Sequence, residues 1–342
     1  MSIKDEFAKF PFFFTSIMLY YFIMRSRFVF PIILIFVSFF LSSCSINKMA
    51  MNMIADALTG EGNADVFTGD SDPQLVGDAI PFAIKMYEAL LSQNPNHQGL
   101  INTTGSMFVM YANAFVQGPA EMLPQLRYQE REAALNRARN LYLRGFDLLY
   151  RGLDLKYPGF SSSFQNGRLP EYLSRMKKAD VPALYWSAAA GLSAFSLNPF
   201  DLDLGMRILE FYAMVERAYE LDPNFNQGAL DEFLLIFHAS IPYGMGSDSS
   251  KIDVHFQRAV EKSGGTSASA YVAYAQAVCV PAQNYDKFKE MLDLAIAIDV
   301  DVNPSNRLVN IISQQKARFL LDSASRFFIF FGSDDDWDDW DD

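Results

Sequence analysis

Beyond residue 72 the chain repeats one hydrophobic rhythm. Between Val76 and Leu91, apolar side chains fall at Ile80, Ala83, Ile84, Tyr87, Leu90 and Leu91. That is the i, i+3, i+4, i+7 spacing of one helix face. Asp72-Pro73 supplies the start, with Asp as N-cap and Pro in the first turn. Alternating runs rich in Val, Ile and Thr, the mark of strands, are scarce. The pattern predicts an all-α chain. It places a short helix near Lys48 to Leu58 and a longer one over 73–93. Asn102 to Val116 pairs with Tyr128 to Lys156, Ala183 to Leu197 with Gly205 to Glu220, and Ser267 to Val280 with Asn284 to Ile298. A closing helix runs from Ser305 to about Ser323. The Ser/Gly-rich stretch Gly159 to Gly167 reads as a mobile surface loop.

Two segments are near copies. Tyr87 opens YEALLSQNPNHQGLI and Tyr219 opens YELDPNFNQGALD; weaker relatives surround Pro158 and Pro304. Proline cannot continue a helix, so each copy reads as a helix end followed by a new helix. This is the tetratricopeptide (TPR) arrangement, whose repeat is about 34 residues. Pro95, Pro158, Pro223 and Pro304 are separated by 63, 65 and 81 residues. Such gaps fit either two repeats or one repeat with long helices. The predicted architecture is antiparallel helix pairs of TPR type, stacked as a short curved solenoid over 72–325. Trp186 with Ala189 and Ala190, and Tyr271 and Tyr274 with Ala275, occupy the large and small positions of such pairs.

Upstream, the apolar run Phe28 to Leu41 ends in Leu41-Ser42-Ser43-Cys44. A small-residue pair before a cysteine is a bacterial lipoprotein processing pattern, with Cys44 the lipidated first residue of the mature chain. The competing reading is a membrane-spanning helix, but a run of 14 residues falls short of the roughly 20 that a span needs. Residues 1–43 are thus read as a signal segment. Starting at Met24, with Arg25 and Arg27 ahead of the apolar run, gives the signal-peptide pattern, and residues 1–23 are read as a possible overcalled start. Residues 44–71 are a lipid-anchored tether.

Charge changes the picture little. The net charge is −12, and seven of those negatives lie in the Asp-Trp tail from Asp334 to Asp342. Residues 326–342 are expected to be a disordered acidic tail. The mildly acidic body offers no clustered Lys and Arg for nucleic acid. Of two cysteines, lipidation uses one; Cys279, flanked by Ala277, Val278 and Val280, reads as a core residue. The three histidines His97, His238 and His255 lack metal-ligand spacing, and His97 is expected at an exposed turn. Phosphate-binding glycine loops, zinc motifs and a serine elbow are absent from the sequence. The expectation is a protein that is not an enzyme and has neither metal nor cofactor.

The stretch from Asp65 to Leu123 resembles the T-component family of TRAP transporters (TatT), TPR-containing periplasmic lipoproteins. Asp72-Pro73, Ala79-Ile80-Pro81-Phe82, Glu88, Leu90-Leu91, Pro95, Tyr111-Ala112 and Ala114-Phe115 carry the resemblance. So do Asn306-Arg307, Lys316-Ala317 and Leu320-Leu321 near the end. The similarity extends over about 50–323 and is tightest at the start. It implies a homotrimeric periplasmic lipoprotein, anchored in the inner or outer membrane. The implied partner is the periplasmic solute-binding protein of a tripartite, ATP-independent uptake system, with a small, hydrophobic organic ligand passed toward the permease. The contrasting reading is a lipid-anchored scaffold for envelope assembly with protein partners only. In a stacked solenoid the first helix of each pair lines the concave side. Tyr111, Trp186, Tyr271 and Tyr274 are therefore candidates for a ligand-binding surface, with Asn102, Ser106 and Asn113 as polar companions. The bland alternative for these aromatics is packing between helices.

Overall fold

In the computed structural model, residues 55, 57–59 and 65–329 are described, with the exception of 243 and 245. The signal segment, Cys44, most of the predicted helix at 48–58 and the Asp-Trp stretch lie outside the described residues. The chain divides into two units, Met1–Ala55 and Asp56–Asp342; all that follows concerns the second.

The protein is all-α, and among the described residues there is no β-strand. Helix α1 spans Pro73–Gln93, and Asp72 caps it by accepting from the Gln74 and Leu75 amides. It runs through Pro81, which stands four residues after Gly77. At Gly77 a Cβ would lie 2.7 Å from the Phe115 ring, so glycine lets α1 close on its neighbour. Helix α2 spans Gln98–Tyr111 and α3 spans Tyr128–Lys156. Short α4 (Leu169–Arg175) leads to α5 (Val181–Ser196) and α6 (Ile208–Leu221). Then follow α7 (Ala229–Ser240), α8 (Ile252–Lys262), α9 (Ala268–Tyr274), α10 (Tyr285–Ala297) and α11 (Arg307–Asp322).

Helices pack in adjacent pairs: α2 on α3, α5 on α6, α7 on α8, α9 on α10. This is the solenoid-like arrangement expected. Each gap of about 65 residues holds one such pair. The pair α7/α8 is an addition to the predicted set, and it shares the longest gap with α9/α10. Two local expectations are corrected. Gly159 to Gly167 is pinned: Phe160 is fully buried in the main core, Ser163 is buried, and Asp154 accepts from the Ser161 amide at 3.0 Å. His97 is half-buried and caps α2, its Nδ1 accepting from the Leu100 amide at 3.1 Å.

The last helix returns to the first. Helix α11 packs on α1 and on the turn Asp65–Thr68. Arg307 donates to the Gly69 carbonyl at 2.8 Å, and Lys316 pairs with Glu121 at 3.0 Å. Two cores fill the body. One gathers residues from Val109 to Ile241 around Tyr142, Phe160 and Phe211; the other joins α9, α10 and α11 around Phe288, with Cys279 inside it. Burial pushes the Cys279 thiol up to about 11, so it stays protonated and inert.

Candidate ligand-binding face

The first helices of the four pairs differ in kind from the second. Across Gln98–Gln117, Val181–Ser196, Ala229–Ser240 and Ala268–Cys279, the only charged residues are Asp231 and Glu232, both on α7. Helices α3, α6, α8 and α10 instead carry charges on one stripe and apolar residues on the other. A helix apolar all round belongs inside, and an amphipathic one belongs outside. Helices α2 and α5 touch each other, as do α7 and α9, so these form an inner layer.

The two acids of that layer meet different fates. Asp231, fully buried, accepts from Lys262 Nζ at 2.6 Å and contacts His255 Nδ1 at 2.8 Å. Lys262 also donates to the Tyr219 hydroxyl at 3.0 Å and the Pro223 carbonyl at 2.7 Å. Burial alone would lower the Lys262 pKa, but its bonds to Asp231 and Tyr219 hold it above the usual lysine value. The His255 ring lies 5.6 Å from that of His238. His238 Nδ1 accepts from the Asp248 amide at 3.1 Å. Burial, then the positive charges of His255 and Lys251, pull His238 down to about 4. Sequence spacing gave no sign that these two histidines would meet. On the outer side of this network, Tyr219, Pro223, Asn224, Arg258, Glu261 and Lys262 line an open groove of about 530 Å³.

Glu232 has a neutral setting. It accepts from Ser269 Oγ at 2.7 Å, and Ser269 lies 2.9 Å from Ser267. Burial raises the Glu232 pKa. Burial first, then the Glu232 charge, raises the Tyr185 phenol. Tyr185 is ringed by aromatics, with centroids 5.0 Å from Trp186, 5.4 Å from Phe225 and 6.4 Å from Phe233. Tyr185, Trp186 and Glu232 are all half-buried. The Tyr185 hydroxyl, the Trp186 indole N–H and the second Glu232 oxygen bond to no described protein group. None of them is among the solvent-inaccessible atoms without a partner. Each therefore keeps some accessible surface although its residue is half-buried. Tyr185 and Glu232 were not singled out from the sequence. The signal was there, in a lone acid pair on otherwise uncharged helices.

The seven candidate residues fall into separate groups. Asn102 accepts from Gln98 Nε2 at 3.3 Å and lies over Gly152 of α3; Ser106 donates to the Thr103 carbonyl. Tyr111 stacks on Phe115 and lies under Arg137. Asn113 is exposed. Trp186 joins the Tyr185 group. Tyr271 and Tyr274 share Phe256 of α8, and Tyr274 donates to Asp253 at 2.8 Å.

One repeat emerges that the prolines did not mark. Helices α2 and α9 each widen at the end into a π-helical turn, Ala112–Gln117 and Ala275–Cys279. The sequences match: Tyr111-Ala112-Asn113-Ala114 and Tyr274-Ala275-Gln276-Ala277. Such turns are rare and concentrate at functional sites. The first is tied to the closing helix: Tyr142 donates to Gln117, Gln117 to Glu121, and Glu121 pairs with Lys316. Among the described residues, no group of three His, Cys, Asp or Glu is gathered to hold a metal ion.

The protein is thus an all-α body of helix pairs whose inner layer carries only two charged residues, Asp231 and Glu232. The family described as TRAP transporter T-component matches residues 69–328, and the chain belongs to that family. An uncharacterized protein of Treponema pallidum (strain Nichols) is 36% identical over 303 residues, which cover 84% of this chain and 94% of that protein. The chain is accordingly a component associated with a TRAP system. No helix among the described residues is long and apolar enough to cross a membrane.

Proposed function

We propose that this protein is the lipid-anchored periplasmic accessory subunit of a TRAP transporter. It docks the solute-binding subunit and holds a small organic ligand against its inner helices, for delivery toward the permease. Its role is binding, not catalysis. The observation that carries this reading is the inner layer, apolar apart from Asp231 and Glu232, where Tyr185, Trp186 and Glu232 keep polar atoms without a partner among the described residues. Apolar walls with a few convergent polar groups are the usual make-up of a small-molecule site.

Anchoring rests on Cys44. A single acyl chain binds membranes only marginally, so several chains are needed to hold the protein there. Cys44→Ala is expected to move the protein to the soluble periplasmic fraction. For the homotrimer, an apolar patch at the α5–α6 connection offers support: Phe200, Leu202 and Met206 are 91%, 78% and 69% exposed. Patches of this kind mark surfaces that associate.

The test is a pull-down of the affinity-tagged, lipidated protein from native membranes, with mass spectrometry of bound proteins and small molecules. A TRAP solute-binding subunit is expected among the recovered proteins. Recovery of envelope-assembly proteins alone would replace the transport reading with a scaffold.

A further inference from the structure

We propose that the outward face of α1 lies on the lipid bilayer that holds Cys44, with Leu75, Phe82 and Met86 inserted among the lipids. The inference rests on Cys44 being the anchor. It adds a second contact with the membrane and names the helix that makes it.

Helix α1 is apolar on two sides. Val76, Ile80, Ile84, Tyr87 and Leu91 are buried against the body. A second stripe, Leu75, Ala79, Phe82, Met86 and Ala89, advances by 4, 3, 4 and 3 residues, so it runs along one line of the helix. Every member of it is exposed. Leu75, Phe82 and Met86 are 58%, 75% and 37% exposed. Asp78 and Lys85 flank the stripe, one charge of each sign. A surface helix ordinarily turns polar residues away from its core. A row of large apolar residues there marks a contact.

The chain ahead of α1 says what the contact is with. The Tyr87 hydroxyl donates to the Leu58 carbonyl at 2.7 Å. This ties the residue beside Met86 to a point only 14 residues after Cys44. Fully extended, that length spans about 50 Å, and as a helix about 20 Å. Its composition is not that of a spacer. From Ser45 to Ala55 the one charged residue is Lys48, with Ile46, Met49, Met51, Met53 and Ile54 among the rest. A charged or Gly/Ser-rich linker would let the body stand off in water. An apolar stretch with a single lysine suits the interface itself. The anchored end therefore keeps α1 beside the bilayer. Among the described residues, the apolar patch at Phe200, Leu202 and Met206 has no such tie. The mixed charge around the stripe calls for no anionic lipid. A weak contact is enough, because anchoring at Cys44 makes it intramolecular. That agrees with the release expected of Cys44→Ala.

The test uses an environment-sensitive fluorophore on Phe82→Cys, Met86→Cys and Phe200→Cys, each in the mature, lipidated, full-length protein. Cys279 is buried and stays protonated, so only the new thiol is labelled. Each protein is reconstituted in phosphatidylcholine vesicles, with or without a nitroxide quencher on the acyl chains. The apolar face of an interfacial helix sits about 5–10 Å into the boundary of headgroups and acyl chains. The probes at 82 and 86 are expected to lose most of their emission to the quencher, and the probe at 200 to keep it. Phe82→Glu added to the Met86→Cys protein is expected to restore emission while the protein still floats with the vesicles. Two labelled positions share the stripe, so a variant that fails to fold leaves the other to decide. Unquenched probes at 82 and 86 in floating protein would overturn the membrane contact and leave the Cys44 anchor standing. Equal quenching at all three positions would do the same. Emission from position 82 that is already blue-shifted in detergent, with disulfide cross-linking between Phe82→Cys chains, would assign the stripe to a second copy and overturn it too. Protein that does not float with the vesicles would overturn both contact and anchor.

Discussion

Asp231 and Glu232 are consecutive residues with the same charge on the same helix, and the fold treats them oppositely. Successive side chains leave a helix about 100° apart. Asp231 therefore turns outward to α8, where His255 and Lys262 hold it. Glu232 turns toward α9, where the Ser269 hydroxyl is its one hydrogen-bond partner among the described residues. A buried charge that is fully paired belongs to the structure: removing it strands its partners. A buried charge without a counter-ion adds nothing to the fold and is available to something that binds. The difference between structure and function in this inner layer is a matter of who neutralises the carboxylate.

The contrast breaks most visibly at Asp231. Asp231→Ala leaves Lys262 and His255 unpaired, and an expected loss of about 3 kcal/mol would appear in denaturant unfolding. The same network predicts an acid transition. His238 faces His255 and Asp248, with Lys251 and Tyr212 nearby, and is held near 4 against an ordinary 6.5. The unfolded chain therefore binds more protons between those values. Stability is full above about pH 6.5 and falls toward pH 4, by about 2–3 kcal/mol. His238→Asn, which can still accept the Asp248 amide, should flatten that slope. A smaller effect is expected on α5 itself. At Gly191 a Cβ would meet the buried Phe211 ring at 2.3 Å. Gly191→Ala should lose about 1–2 kcal/mol through overpacking, offset in part by helix propensity.

The smallest expected stability change is at Glu232. Its pKa is raised above the ordinary 4.5, so the charged form costs stability as pH rises through the folded value. Glu232→Gln should melt at or above the wild-type temperature at pH 7. The difference should vanish near pH 4, where the carboxyl is protonated in both states.

Much of the fold was legible in the chain. Amphipathic spacing and Asp-Pro or Asn-Pro starts placed α1, α3, α5, α6, α9, α10 and α11 to within a few residues. The pair α7/α8 escaped because no proline separates α8 from α9; Gly264-Gly265 makes that turn instead. Its apolar run Phe233 to Phe237 and the spacing of Ile252, His255, Phe256 and Ala259 were there to be read. The pinned 159–167 segment was hidden by its Ser and Gly content, which outweighed the single Phe160. The site was less legible. Periodicity identifies which residues face inward, but it cannot say which of two neighbouring acids finds a partner. That depended on His255 and Lys262, two helical turns apart on another helix, and on Ser269 across the layer. The matched π-turns were visible as Tyr-Ala-Asn-Ala and Tyr-Ala-Gln-Ala, yet nothing in those residues announces the wider helical turn.

The most direct test is a pair of thermal melts at pH 7, Asp231→Asn beside Glu232→Gln, each removing one charge with almost no change of shape. The account predicts that Asp231→Asn lowers Tm by about 6 °C or more, the scale of a broken buried ion pair in a domain this large. Glu232→Gln should leave Tm unchanged or raise it. Equal losses in both variants, or a loss confined to Glu232→Gln, would show that Glu232 is part of the structural framework and contradict its reservation for a ligand.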